Sequence, residues 1–155
     1  MQMTFLPEID RKKTQKAVED AFEKYRLFKY LTFEEREASI TAGYKESTGS
    51  SNKISDQTAQ IATYNIDEPE RRKAFCERVE RAVNRLPLKE KFLVQERYMS
   101  DDSEYITDYT VYCHRFSPPI SEGTYSKIRW KAFYKLALNL NIAVVKEGEN
   151  SEYSN

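Results

Sequence analysis

Residues Ser121–Leu140 read SEGTYSKIRWKAFYKLALNL, and the way this stretch winds decides the fold. At the helical step of about 100° per residue, Tyr125, Ile128, Ala132, Phe133, Leu136 and Leu140 fall on one arc. Such an apolar stripe must face a core. The opposite arc carries Gly123, Ser126, Lys127, Trp130, Lys131 and Tyr134. Ser121 is a suitable N-cap, and Glu122 complements the positive end of the helix dipole. The stretch sets Lys127, Arg129, Lys131 and Lys135 against Glu122 as its one acid, although the 155-residue chain has a formal net charge of zero. The aromatics divide: Tyr125 and Phe133 belong to the core side, Trp130 and Tyr134 lie among the lysines.

Upstream, SPP (Ser117–Pro119) is a turn, because two prolines cannot continue a helix. TDYTVYCHRF (Thr107–Phe116) makes a short helix from a Thr107 cap. Before an acidic loop, LPLKEKFLVQERYMSDD (Leu86–Asp102) starts a helix at Pro87 and places Phe92, Leu93, Glu96 and Tyr98 along it. A helix, a short helix, a turn and a long basic helix is the layout of a helix-turn-helix, whose second helix can enter the DNA major groove.

The chain begins with a second apolar stripe. In LPEIDRKKTQKAVEDAFEKYRLFKYL (Leu6–Leu31), Asp10 is the expected cap, and Ala17, Val18, Ala21, Phe22, Tyr25 and Phe28 recur at helical spacing with a charged back. TFEEREASI (Thr32–Ile40) adds further helical turns. TAGYKESTGSSNKISDQT (Thr41–Thr58) is rich in Gly, Ser, Thr and Asn, and reads as a linker with a loop within Gly43–Asn52. Asp56–Asn84 is helical again and is expected to break near Pro69, with Asp67 as cap and Pro69 in the following first turn. There Phe75, Val79, Ala82, Val83 and Leu86 form the stripe. Arg71, Arg72, Arg78 and Arg81 alternate with Glu70, Glu77 and Glu80, the mark of a solvated face.

The expected architecture is all-α. Residues 1–40 form an N-terminal helical region and 41–55 a linker. Residues 56–145 form a helical domain with its helix-turn-helix at 107–140, and 146–155 a disordered tail. Composition agrees: 4 Gly and 5 Pro favour helices, and 32% charged residues give a hydrophilic surface while 13% aromatics can fill a core. No run of about 18 apolar residues is present, so no membrane span is expected. MQMTFLPEIDRKKTQK lacks the apolar block of a signal peptide, and a cytoplasmic location is expected.

Cys76 and Cys113 are expected as free thiols. A metal site would need them together with His114, and adjacent residues on a helix point about 100° apart. With one histidine, no Gly-rich phosphate loop and no GxSxG, the usual catalytic constellations are missing. Neither enzyme activity nor a cofactor is expected.

ISEGTYSKIRWKAFYKL (Ile120–Leu136) resembles the recognition helix of sigma factor region four, and LPLKEKFLVQERYM (Leu86–Met99) resembles the helix that opens that domain. Taken with FLPEIDRKKTQKAVEDAFEKYR (Phe5–Arg26), AVNRLPLKEKFLVQERYM (Ala82–Met99) and TYSKIRWKAFYKLA (Thr124–Ala137), the chain resembles the ArpU family of phage and prophage transcriptional regulators. The resemblance is weakest between Thr41 and Asp67. It implies a DNA-binding regulator of late phage genes or autolysin functions, working in the bacterial host cytoplasm. It aims Glu122, Gly123, Ser126 and Lys127 at base edges, and sets Ser121, Thr124, Arg129 and Lys131 near phosphates. The sequence departs from the pattern at CHRFSPPIS (Cys113–Ser121), where the turn is longer and carries Pro118-Pro119.

Trp130 has three possible fates: stacking on a sugar, packing under the N-terminal helices, or exposure. The partners implied are double-stranded DNA and, through the N-terminal helices, RNA polymerase or a second copy in a homodimer. Two other classes fit the same pattern. One is a DNA-packaging component similar to small terminase subunits, which would form a large ring. The other is an RNA-polymerase-binding module that does not read DNA. A bland reading also exists, since lysines late in a helix suit its negative dipole end.

Overall fold

The computed structural model describes residues 8–42 and 56–147, and the side chains of 8–32 and 67–147. Among them are five α-helices: α1 (Arg11–Ala42), α2 (Asp56–Asn84), α3 (Leu88–Val94), α4 (Asp108–Thr110) and α5 (Glu122–Asn139). Wider π-type turns prolong α3 through Gln95–Met99 and α4 through Val111–Arg115. The β pairing among the described residues is one isolated antiparallel bridge, Ile9 with Val145. The fold is all-α, as the helical stripes predict. No described helix is long and apolar enough to cross a membrane.

The helix ends follow the local chemistry of their sequences. Asp10 Oδ1 accepts the backbone N–H of Lys13 at 3.0 Å, and Thr107 Oγ1 that of Thr110 at 3.2 Å. Ser121 Oγ accepts that of Thr124, also at 3.2 Å. These are the side-chain caps that satisfy otherwise orphaned helix donors. At the far end of α5, Asn141 takes a left-handed conformation with φ 58°. Its N–H bonds Leu138 O at 3.3 Å while that of Ile142 bonds Ala137 O at 2.9 Å. Those two bonds make a Schellman stop, with Asn in the place glycine usually takes.

The chain forms two compact units, divided at Glu23/Lys24 in α1 and at Glu80/Arg81 in α2. The first combines the start of α1 with the described residues from Arg81 onward. Its centre is aromatic: the Phe22 ring stacks on Tyr98 at 5.4 Å between centroids, Tyr98 lies 5.2 Å from Phe133, and Phe22 lies 6.4 Å from Phe133. Around them Val18, Val83, Leu93, Val94, Val111, Ala132 and Leu136 are buried. The α5 arc expected inward is inward, except that Ile128 is only half-buried. The segment after α5 is bonded to the chain before α1. Asp10 N–H donates to Val144 O at 2.8 Å, Lys146 N–H to Glu8 O at 2.9 Å, and Val144 N–H to the buried Thr14 hydroxyl at 3.0 Å.

The second unit joins the middle of α1 to α2. Phe28 meets Phe75 edge-on at 5.5 Å, with the Lys24 ammonium 4.5 Å from the Phe75 ring centre. Glu80 accepts both the Tyr25 hydroxyl and the Lys29 ammonium at 2.8 Å. Burial, with Glu80 behind it, raises the Tyr25 phenol pKa. The cysteines are free, and burial raises the thiol pKa of Cys76.

Three expectations are modified. The helix does not break near Pro69: α2 runs through it, and Asp67 lies inside the helix rather than capping one. Proline removes one backbone bond, a cost that an otherwise continuous helix can absorb. Thr41 and Ala42 close α1 instead of opening a linker, while the loop expected within Gly43–Asn52 lies outside the described residues. Lys146, expected to open a disordered tail, is bonded to Glu8 through both backbone and side chain, and residues 148–155 of that expected tail lie outside the described residues.

This packing can be checked at two places. Phe133→Ala and Leu136→Ala, each at 0% exposure, should each destabilise the protein by about 2–5 kcal/mol; urea unfolding that matches the parent would refute the burial. Pro69→Ala should raise the thermal midpoint, because proline inside a helix costs up to about 3 kcal/mol relative to alanine, and Asp67→Ala should change little. A loss of stability in both variants would restore a helix start at Asp67.

Candidate functional site

The cations of α5 separate into two pairs. Arg129 and Lys135 are tied to acids of other helices. Arg129 Nη1 bonds Asp108 Oδ2 at 3.0 Å, and Lys135 Nζ bonds both oxygens of the buried Glu90 at 2.9 and 3.0 Å. Lys127 and Lys131 are exposed, with no side-chain partner among the described residues. Only this second pair is open to a ligand's charge.

Asp108 is the hub that orients α5. Its Oδ1 accepts the Tyr125 hydroxyl at 2.7 Å and Arg97 Nε at 3.0 Å, while Oδ2 takes Arg129. Arg97 also reaches Ser103 O at 3.1 Å, which ties down the bend after α3. A single carboxylate thus connects the end of α3, the start of α4 and the first two turns of α5. The Tyr112 ring adds apolar contact, 5.4 Å from Tyr125. Between α4 and α5, Ile120 N–H donates back to Tyr112 O at 3.0 Å across the cis Ser117-Pro118 bond.

Other sequence-predicted residues take the following places. Ser121, Glu122, Gly123 and Thr124 are exposed at the start of α5, with Ser121 and Thr124 also joined hydroxyl to hydroxyl at 2.9 Å. A Cβ built on Gly123 would meet nothing within 4 Å, so this end of the helix is open. Ser126 is half-buried. Trp130 and Tyr134 are half-buried neighbours, 6.2 Å apart and tilted by 53°. The Arg11 guanidinium of α1 lies over the Trp130 ring at 4.5 Å from its centre, so the start of α1 covers part of the indole. Ser121, Glu122, Gly123, Thr124, Lys127 and Lys131 form the accessible set among the predicted residues; Arg129 is bound into the scaffold.

Sequence reading missed Asp108, Glu90 and Arg97. Asp108 reads only as a favourable acid after the Thr107 cap. Its partners lie 11, 17 and 21 residues away, beyond any local spacing rule.

Burial, followed by the charge of Asp108, pushes the Tyr98 phenol up to about 12. Burial and the hydrogen bond to Asp108 hold Tyr125 well above the usual range. Both phenols ionise less readily in the folded chain. The stability they contribute is complete below the ordinary tyrosine value of about 10, and is lost as pH rises through the raised values.

No family model matches the chain, and no solved structure matches it. The chain is similar to a curated protein of Listeria innocua described as an uncharacterized phage-related protein. The two are 25% identical over 142 residues, covering 91% of this chain and 96% of that protein.

Asp108→Ala should destabilise the protein by about 1–3 kcal/mol, because it leaves the buried Tyr125 hydroxyl without its acceptor. Asp108→Asn keeps an acceptor and should cost less. In the alanine variant Tyr125 should also ionise at lower pH, read by phenolate absorbance. Parent-like unfolding and titration in both variants would refute the hub.

Proposed function

We propose that the chain is a phage-encoded, sequence-specific DNA-binding regulator of transcription, of the ArpU type, in which α4 and α5 act as a helix-turn-helix and α5 enters the major groove. The observation that carries this reading is the open start of α5. Glu122, Gly123 and Lys127 are accessible there beside a second unpaired cation, Lys131, while the helix is held from behind by its apolar arc and by Asp108. Small residues at the helix start permit close approach to base edges, and cations further along suit phosphate. Similarity to a phage-related protein supports the phage setting.

The roles then divide along the helix. Glu122, Gly123, Ser126 and Lys127 face bases. Lys131, more than two turns past the cap, neutralises backbone phosphate, and Ser121 and Thr124 offer hydroxyls at the groove edge. Arg129 acts from within, by fixing the rotation of the helix through Asp108. The Trp130 indole sits at the edge of this face, beside Tyr134.

The test is a footprint on DNA flanking the protein's own gene, followed by a salt series on the protected site and on random duplex. Lys127→Ala should cost about 1–3 kcal/mol at the specific site and much less on random DNA. Lys131→Ala should weaken all sequences alike and lower the salt slope by about one. A large ring in solution that protects a packaging site would favour a terminase-like role instead. Affinities that neither variant nor salt changes would remove DNA from the account.

A further inference from the structure

We infer that Arg115 is a positioning residue for sequence recognition: it fixes the chain as it leaves α4, and so sets the angle at which α5 meets base edges. This rests on the DNA-binding reading above and adds to it a residue outside the helix that touches DNA in that reading.

Both α3 and α4 end in π-type turns, Gln95–Met99 and Val111–Arg115. The second is closed by the Phe116 N–H, which donates to Val111 O at 3.0 Å. Such a turn holds one residue more than an α turn and redirects the side chains that follow, and π-type turns are frequent at functional sites. Here the residues redirected are Arg115 and Phe116. The Phe116 ring lies edge-on to Phe92 of α3 at 4.9 Å. The Arg115 guanidinium is divided between two acids: Nη1 donates to Glu96 Oε2 at 2.9 Å, and Nη2 to Asp102 Oδ2 at 3.3 Å. Glu96 belongs to the first π-type turn, so one side chain joins the two turns to each other.

The edge that receives Arg115 is itself braced. The Ser100 hydroxyl donates to Glu96 O at 2.9 Å, the buried Ser103 hydroxyl to Ser100 O at 2.7 Å, and Arg97 Nη1 to Ser103 O at 3.1 Å. Arg115 docks there just before the Ser117–Pro119 turn that leads into α5. Asp108 fixes the rotation of α5 from its side, and Arg115 fixes where the chain enters the turn. The Arg115 pairs lie near the surface, where ion pairs add little to stability. What they supply is direction: recognition groups must be held within about 0.5 Å of productive geometry by the residues behind them. Base-edge contacts depend on that register, whereas attraction to phosphate is independent of sequence.

Full-length parent, Arg115→Gln and a Glu96→Gln/Asp102→Asn variant are titrated against the footprinted site and a random duplex across a salt series, with melting followed by circular dichroism. Breaking the pairs from either side should lower the ratio of specific to random affinity about tenfold, the scale of one mismatched base pair. The salt slope of Arg115→Gln should match the parent's. The ratio cancels net charge, which the two variants shift in opposite directions. A direct phosphate ligand would behave differently: Arg115→Gln would weaken both duplexes alike and lower the slope by about one, while the acid variant would bind both more tightly. That pattern overturns the inference. A lowered melting midpoint with the parent's ratio also overturns it, because the pairs would then be only structural, and so does parent-like behaviour throughout. A parent that does not distinguish the footprinted site from random duplex fails before any variant is compared; the sequence-specific reading then falls, and this inference falls with it.

Discussion

The contact on which the first unit depends is the meeting of Phe133 with Phe22 and Tyr98. Three helices each contribute one ring to it, at centroid distances of 5.2 to 6.4 Å. Aromatic side chains of this size dominate the energetics of a small core, and their preferred offset or tilted geometries resist rotation. With Phe133 fixed inward, the step of the helix assigns every other direction on α5. Leu136 and Ala132 join the core, while Lys127 and Lys131 turn outward. The accessible face is therefore a consequence of the core, and no separate device is needed to present it.

Charge then sorts what packing leaves unsettled. Glu90 and Asp108 take up Lys135 and Arg129. In partly buried pairs of this kind the cost of desolvation offsets much of the attraction, so their value is mainly directional. Asp108 is the stronger constraint because it also accepts a hydroxyl from the fully buried Tyr125, a bond whose loss would strand a polar group in the core. The neutral chain does not spread its cations evenly. It ties some of them across helices and leaves others, at the start of α1 and along α5, without a side-chain partner among the described residues.

Legibility in the sequence followed the range of the interaction. The α5 stripe and the Asp10, Thr107 and Ser121 caps could be read because each depends on residues within one or two turns. The Asp108 hub could not, nor could the bonds between Thr14 and Val144, separated by 130 positions. Distant bonds of the same kind hold Lys146, which its polar surroundings in the sequence give no reason to expect. Pro69 misled for a different reason: proline at the start of a helix and proline inside one look alike until the preceding turn is known to be helical. At the candidate site, residue types and their face were legible, but the division between open and committed cations was not. Arg129 and Lys127 are both cations in the sequence, and what commits Arg129 is the Asp108 carboxylate of another helix.

That difference governs how the face can be dissected. The α5 helix is 18 residues long, and in a folded protein most of the stability of such a helix comes from the packing of its apolar face. Residues on the open arc contribute little to that packing, so changes at Lys127 or Lys131 act on a ligand without acting on the fold. Arg129 is different. Its guanidinium shares a carboxylate with Tyr125 and Arg97, and removing it would disturb the hub that orients the helix. Weaker DNA binding in an Arg129 variant would therefore carry no information about phosphate recognition unless the fold were shown to survive, whereas the same weakening at Lys131 could be assigned to the ligand directly.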